Sequence, residues 1–352
     1  MRILLLSRYT RLGASSRLRS YQYLPYLRGL GIEVDVAPLF DDDYLKQLYQ
    51  QKTKNRKQVF HAYIQRIRTL IQSKKYDLLW IEYELFPWLP SFAEKLLSLW
   101  GIPYIVDYDD AVFHRYDIHS MRLIRVLLGQ KIDRIIGGAV LVLAGNSYLL
   151  ERAEKAGADR VEYLPTVVDL ERYSVQGKER SQSFNIGWIG SPSTSGYLQV
   201  LQPVLSELCE DRNTYVTLVG AADDSLQGLR IQSFQWSEAT EVSDIQQFDV
   251  GIMPLPDTLW AKGKCGYKLI QYMACGIPVV ASSIGANREI VDNGKNGLLS
   301  TNLPEWRDNL VRLRDDVDLR HQLGGNGRRT VEEKYCLQVT GPRLAKLIQN
   351  LI

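Results

Sequence analysis

Short apolar runs, each followed by an amphipathic stretch, recur along the whole chain. In the first half the runs Arg2–Ser7, Ile32–Leu39, Asp77–Tyr83, Pro103–Asp109, Ala139–Asn146 and Asp159–Pro165 read as buried strands. Helical periodicity falls between them, over Ser16–Leu30, Tyr44–Ser73, Pro90–Trp100, His119–Gly137 and Tyr148–Ala156. Strands alternating with helices in this way predict parallel βαβ units with helices on both faces of a sheet. Residues 167–183 are polar and carry no period, which marks them as a linker. The alternation then restarts with strands predicted at Phe184–Gly190, Tyr215–Ala221, Leu229–Phe234, Val250–Leu255, Pro278–Ser282 and Gly297–Ser300. Helices are predicted at Thr194–Asp211, Glu241–Phe248, Gly266–Ala274 and Pro304–Lys334, and a last amphipathic stretch, 339–352, ends the chain. The pattern thus predicts an α/β protein with two doubly wound, Rossmann-like domains, residues 1–166 and 184–338, facing across a cleft where ligands bind.

Composition narrows the class. The chain has 352 residues, 45% of them hydrophobic and 24% charged, the balance of a globular protein. No apolar run reaches the length of a membrane span, and the start, Met1–Ser7, is too short for a signal peptide. Four scattered cysteines without a CxxC pair suggest reduced thiols and a cytoplasmic setting. The net charge of +3 conceals a basic segment: from Tyr44 to Tyr76 there are nine lysines or arginines and no acid. With Phe60, Ile64, Ile67 and Ile71 on one side, that segment predicts an amphipathic helix. The 46–75 stretch is therefore a candidate for peripheral contact with anionic lipid, although a sheet-packed helix with a solvated basic side has the same pattern.

The segment with the most chemistry is Lys262-Gly-Lys-Cys-Gly-Tyr-Lys-Leu-Ile-Gln-Tyr-Met-Ala-Cys-Gly-Ile-Pro-Val-Val-Ala281. It reads as loop, helix, turn and strand. Gly263 and Gly266 would let the backbone approach a ligand, and the helix start after them would offer unpaired N–H groups to an anion. Lys264, Lys268 and Gln271 follow i, i+4, i+7 spacing and would share one face, a suitable clamp for a diphosphate. An ordinary helix with a solvated lysine side fits the same spacing.

This segment, with Ser283-Ile-Gly-Ala-Asn-Arg-Glu-Ile-Val-Asp-Asn-Gly-Lys-Asn-Gly-Leu-Leu299 after it, resembles the donor-binding region of the family 4 retaining glycosyltransferases. Those are nucleotide-sugar-dependent enzymes of the two-Rossmann GT-B fold. The resemblance extends to Ala144-Gly-Asn-Ser147, to the stretch from Val161 to Tyr173 and to Phe184-Asn-Ile-Gly-Trp-Ile-Gly190, and it implies that 339–352 crosses back to the first domain. Two departures stand out. The family's pair of glutamates, eight positions apart, matches Gly263 and Gln271 here. Its Arg and Lys after the first strand of the second domain match a cation-less stretch, Ser191-Pro-Ser-Thr-Ser-Gly196. Lys264 and Lys268 could supply the missing cations, and Gln271 could bond a ribose hydroxyl. Gly190, Gly266 and Tyr267 join the expected donor site. Ser191, Ser193 and Thr194 could face phosphate with hydroxyl and N–H groups, or simply cap a helix.

Two further loops carry candidates. In Arg11-Leu-Gly-Ala-Ser-Ser-Arg-Leu-Arg19 the resemblance assigns Gly13 to the donor and Ser16 and Arg17 to the acceptor; a GxGxxG dinucleotide fingerprint is absent. Asp107-Tyr-Asp-Asp110 ends a predicted strand, where Asp109 and Asp110 could contact the transferred sugar or deprotonate the acceptor. Its D-x-D pattern suggests the metal site of the other major glycosyltransferase fold, but that fold lacks a second Rossmann repeat. Helix capping by the same acids is the alternative, and His114 and His119 are left outside the site.

The resemblance implies a cytoplasmic, metal-independent glycosyltransferase, with Asp109, Asp110, Lys264 and Lys268 as its catalytic candidates. It would move a sugar, with retention, from a nucleotide diphosphate sugar to a glycan or lipid-linked hydroxyl. No cofactor beyond that co-substrate, no metal and no nucleic acid is expected. The missing glutamates keep two alternatives open: a non-catalytic nucleotide-sugar-binding partner of a transferase, and a GT-B nucleotide-sugar epimerase.

Overall fold

The computed structural model describes residues 1–49, 56–176, 183–221, 226 and 228–351. The chain divides into two compact units. The first comprises Met1–Thr166, Lys262–Cys265 and Thr340–Ile352; the second comprises Val167–Ala261 and Gly266–Val339. Each unit holds one six-stranded sheet.

The first sheet contains β1 (Arg2–Leu6), β2 (Glu33–Val36), β3 (Leu78–Glu82), β4 (Tyr104–Tyr108), β5 (Leu141–Ala144) and β6 (Val161–Tyr163). Its order is β2-β1-β3-β4-β5-β6, all parallel. The second contains β7 (Phe184–Ile189), β8 (Thr214–Val219), β9 (Ile231–Phe234), β10 (Val250–Met253), β11 (Val279–Ser282) and β12 (Leu298–Ser300). Its order is β12-β11-β10-β7-β8-β9, also all parallel. Parallel strands covered on both faces need continuous apolar runs, and every residue of β3, β4, β5, β7, β10 and β11 is buried. The chain reverses its direction of travel across the sheet once in each unit, between β1 and β3 and between β7 and β10. At such points the loops leaving the carboxyl ends of the two strands diverge and open a crevice.

All twelve predicted strands form, with ends trimmed by a few residues. The helices differ more. The stretch expected as one helix over Ser16–Leu30 is split into Ala14–Arg19, a tight turn Tyr21–Tyr23 and Leu24–Gly29. Ser20 leaves helical geometry at φ −131°, and Pro25 sits in the first turn of the last piece, where its missing N–H costs nothing. Pro304–Lys334 is likewise two helices, Leu303–Asp315 and Val317–Lys334, because Asp316 turns the chain and caps the second through Leu319 N at 2.8 Å. The basic stretch forms Asp42–Tyr49 and Arg56–Ile71, with 50–55 outside the described residues.

The expected linker is in part packed structure. Val167, Val168 and Tyr173 are buried, and Val168 bridges Cys336; residues 177–182 lie outside the described residues. The helix Leu337–Gln349 begins in the second unit and from Thr340 belongs to the first. There Thr340 meets the Tyr23 hydroxyl at 3.0 Å and Gly341 lies against the Tyr26 ring.

A buried ion pair ties the first unit together. Arg19 contacts Asp107 Oδ1 through Nε at 2.8 Å and Nη2 at 2.7 Å, and donates to Leu164 O at 2.6 Å. It therefore joins the helix Ala14–Arg19 to the ends of β4 and β6. Burial pushes the Asp107 carboxyl up to about 6, and Arg19 pulls against that rise. Removing one partner leaves a buried charge uncompensated, at a cost of about 3–5 kcal/mol. Asp107→Ala should accordingly lower the melting temperature by several degrees, and Asp107→Asn by less. An unchanged melting temperature for Asp107→Ala would contradict the anchoring role.

Candidate functional site

In the first unit, polar groups gather where β1 and β3 diverge. Glu82 ends β3 and is buried. It accepts from Ser16 Oγ at 2.6 Å and from Arg8 N at 3.0 Å. Burial raises its carboxyl to about 7, against the hydrogen bonds that favour the ionised form. Ser16 is itself fully buried and also accepts from Tyr9 N at 3.1 Å. The acceptor contact expected of Ser16 is thus corrected: its hydroxyl is committed to Glu82. Arg17 is buried as well, with Nη1 directed at the Arg11 and Leu12 carbonyls, each at 3.4 Å. Gly13 precedes the helix Ala14–Arg19 and leaves room for Tyr9, whose Cβ would lie 2.5 Å from an added Cβ.

Tyr83 follows Glu82 with φ +62°, a conformation that side chains other than glycine rarely adopt. Such strain persists only where the surroundings impose it. Here the Tyr83 hydroxyl donates to Asp109, while Tyr83 O accepts from Tyr108. Asp110, the next residue, pairs with Lys264 Nζ at 2.8 Å. Neither acid caps a long helix.

The segment Lys262–Cys265 is held in this unit by several contacts. Asn146 Nδ2 donates to Lys262 O at 3.2 Å and Lys264 O at 3.0 Å, and Cys265 Sγ donates to Asp109 O at 3.1 Å. Gly263 lies against Ala111, whose Cβ would be 2.4 Å and whose N would be 2.7 Å from an added Cβ. Gly263 therefore serves close packing on Ala111, which corrects the ligand approach expected of it. The same contact gives a steric reason why no glutamate stands at this position.

The shared lysine face is also corrected. The helix runs Tyr267–Ala274, so Lys264 precedes it and the i, i+4 relation to Lys268 is not a helical one. Gly266 forms the turn between them with φ +68°, and an added Cβ there would lie 2.3 Å from Ile290.

In the second unit the corresponding crevice, between β7 and β10, carries the other candidates. Gly190 follows β7, and an added Cβ would meet Lys268 Cε at 2.8 Å and the Trp188 ring at 2.5 Å. Lys268 thus lies across Gly190, its Nζ over the Trp188 ring at 5.4 Å. Ser191 and Ser193 exchange a hydroxyl contact at 2.8 Å, and Thr194 Oγ1 donates to Ser191 O at 3.1 Å. The Ser191 hydroxyl does not cap the short helix Pro192–Ser195. Tyr267 is half-buried at the start of the helix that bears Lys268.

Gln271 is buried and donates to the Tyr173 hydroxyl at 3.0 Å. Tyr173 donates on to Glu241 at 2.6 Å, and Trp236 Nε1 donates to the other Glu241 oxygen at 2.7 Å. A carboxylate therefore lies one hydroxyl away from Gln271. Sequence reading missed Glu82, Tyr173 and Glu241. The left-handed Tyr83 has no local signal, and Glu241 is 68 positions from its tyrosine partner.

The raised Glu82 pKa has a measurable consequence. Since it lies above the ordinary value of about 4.5, the folded state holds a proton that the unfolded chain releases. Stability from this group is present below about pH 4.5 and is lost as pH rises to about 7. Across that window Glu82→Gln should gain stability relative to the parent, by on the order of 3 kcal/mol at most. Melting curves from pH 4.5 to 7.5 that stay parallel for the two proteins would contradict the shift.

Comparison with known proteins bears on this arrangement. Residues 183–316 match the family described as glycosyl transferases group 1. A D-inositol 3-phosphate glycosyltransferase of Arthrobacter sp. (strain FB24) is 26% identical over 307 residues, covering 75% of this chain and 68% of its own. Among solved structures, sucrose-phosphate synthase from Thermosynechococcus elongatus superposes with a TM-score of 0.74 at 15% identity, over 100% of this chain and 99% of that one. Anabaena HepE, solved in complex with UDP, gives 0.70 at 15% identity, over 99% and 100%. The two parallel six-stranded sheets have the GT-B fold of these neighbours, and the similarity to glycosyl transferases group 1 falls largely in the second unit.

Proposed function

We propose that the protein transfers a sugar from a nucleotide diphosphate sugar to a hydroxyl of a glycan or lipid-linked acceptor, with retention at the anomeric carbon. The observation that carries the donor side is Lys268 lying across Gly190 at the divergence of β7 and β10. A flexible cation over a residue without a side chain leaves phosphate oxygens access to both ammonium and backbone. Lys268 would stabilise charge developing on the departing diphosphate, a contribution larger in the transition state than in the bound donor. The Ser193 hydroxyl would add a neutral donor. The UDP bound by the Anabaena neighbour makes a nucleoside diphosphate the natural first ligand.

The acceptor side rests on Asp109 and Asp110 at the end of β4. Lys264, paired with Asp110, positions that carboxylate in this reading and takes no part in holding the diphosphate. Tyr83 does the same for Asp109. The non-catalytic alternative has the loss of both family glutamates in its favour, and it predicts donor binding without turnover.

Lys268→Ala should retain the melting temperature and weaken donor binding about 10- to 150-fold, the value of one charge-assisted contact. A larger fall in turnover than in affinity would place its effect on the leaving group. A panel of UDP-, GDP-, ADP- and dTDP-sugars read by thermal shift identifies the donor to use. Near-normal donor affinity and transfer by Lys268→Ala would overturn the assignment. Transfer should also survive EDTA, because no three potential ligand side chains cluster among the described residues. Loss of transfer on chelation, restored by manganese, would refute that.

A further inference from the structure

We propose that one face of the first unit docks on an anionic lipid surface. Three successive connections build this face: 56–75 before β3, 88–100 between β3 and β4, and 114–128 between β4 and β5. All three advance across the sheet in the same direction, from β2 to β3 to β4 to β5. Right-handed crossovers place such connections on the same side of the sheet. Contacts join them: Lys74 Nζ lies 5.4 Å from the Trp100 ring, and Trp88 packs against Tyr116 at 5.4 Å and His119 at 5.9 Å.

The outward side of these elements is apolar where a solvated helix would be polar. On Phe92–Leu99, the residues Phe92, Leu96 and Leu99 recur at helical spacing and are 75%, 40% and 73% exposed. On Arg122–Leu128, the residues Leu123, Val126 and Leu127 are 63%, 72% and 58% exposed. Phe60, Ile71, Trp88 and Met121 extend the surface. Exposed apolar residues repeated on successive elements of one side of a sheet mark an interaction site.

Charge identifies the occupant. Five exposed lysines or arginines lie in 56–75, Lys95 is exposed in the second connection, and Arg122 and Arg125 are exposed in the third. The acids of these segments do not offset them. Glu94 is buried and accepts from Leu85 N, and Asp117 is engaged by His114 and Arg152. Apolar side chains set among cations, with tryptophan at the margin, suit the boundary of an anionic bilayer. A second copy is disfavoured, since a two-fold contact would bring the same cations together. The face is wider than the 46–75 segment alone and includes the helices Phe92–Leu99 and Arg122–Leu128.

Co-sedimentation of the full chain with vesicles tests this proposal independently of the transfer reaction. Phosphatidylcholine vesicles containing about a third phosphatidylglycerol should bind the protein at least tenfold more tightly than phosphatidylcholine alone, and salt should weaken the binding. Arg122→Glu with Arg125→Glu should reduce binding by about fivefold per charge or more. Leu123→Ser with Val126→Ser should reduce it on both vesicle types. These side chains are exposed, so the melting temperature should hold in both double variants. Absence of binding to the anionic vesicles, or equal binding by both variants, would overturn the proposal. So would sedimentation velocity showing a dimer that Leu123→Ser with Val126→Ser abolishes, without vesicle binding.

Discussion

The backbone around Gly263 and Ala111 leaves no volume for a side chain, and much of the first unit's candidate chemistry follows from that packing. With Gly263 seated on Ala111, the Asn146 amide reaches two carbonyls of Lys262–Cys265, Cys265 meets the Asp109 carbonyl, and Lys264 pairs with Asp110. Any larger residue at 263 would push into backbone, which cannot yield as a flexible side chain does. The contact thus fixes the setting of both aspartates. It also gives Lys264 a carboxylate partner.

Each sheet concentrates polar groups at its own point of reversal. Between β1 and β3 the result is a buried carboxyl, Glu82, held by Ser16 and the Arg8 amide beside a strained Tyr83. Between β7 and β10 it is a lysine over a glycine, backed by Trp188. The two points differ in chemistry: a desolvated carboxyl held by hydrogen bonds in one unit and a lysine ammonium in the other. The network Gln271–Tyr173–Glu241–Trp236 places a buried carboxylate in the second unit, one hydroxyl away from the helix Tyr267–Ala274.

The sheets were legible in the sequence because strands buried on both faces must be apolar without interruption, as in Leu78–Glu82 and Phe184–Ile189. Helix ends were less so. Ser20 and Asp316 interrupt periodic stretches, and a pattern averaged over several turns passes across a single break. Lys268 and Gly190 could be nominated from the sequence, since both sit beside strand ends that the pattern placed. The pairing of Lys264 with Asp110 could not, because 154 positions separate them and no local rule couples them. The spacing that put Lys264 on the helix assumed that the helix began before Gly266, and the left-handed turn at that glycine starts it later.

The most direct test is a crystal structure of the protein with a nucleoside diphosphate, the base chosen by thermal shift. The account predicts diphosphate oxygens within about 3 Å of Lys268 Nζ and of backbone N–H groups after Gly190. It also predicts that Lys264 still holds Asp110. A diphosphate bound by Lys264, or bound away from the divergence of β7 and β10 with Lys268 still over Trp188, would contradict it.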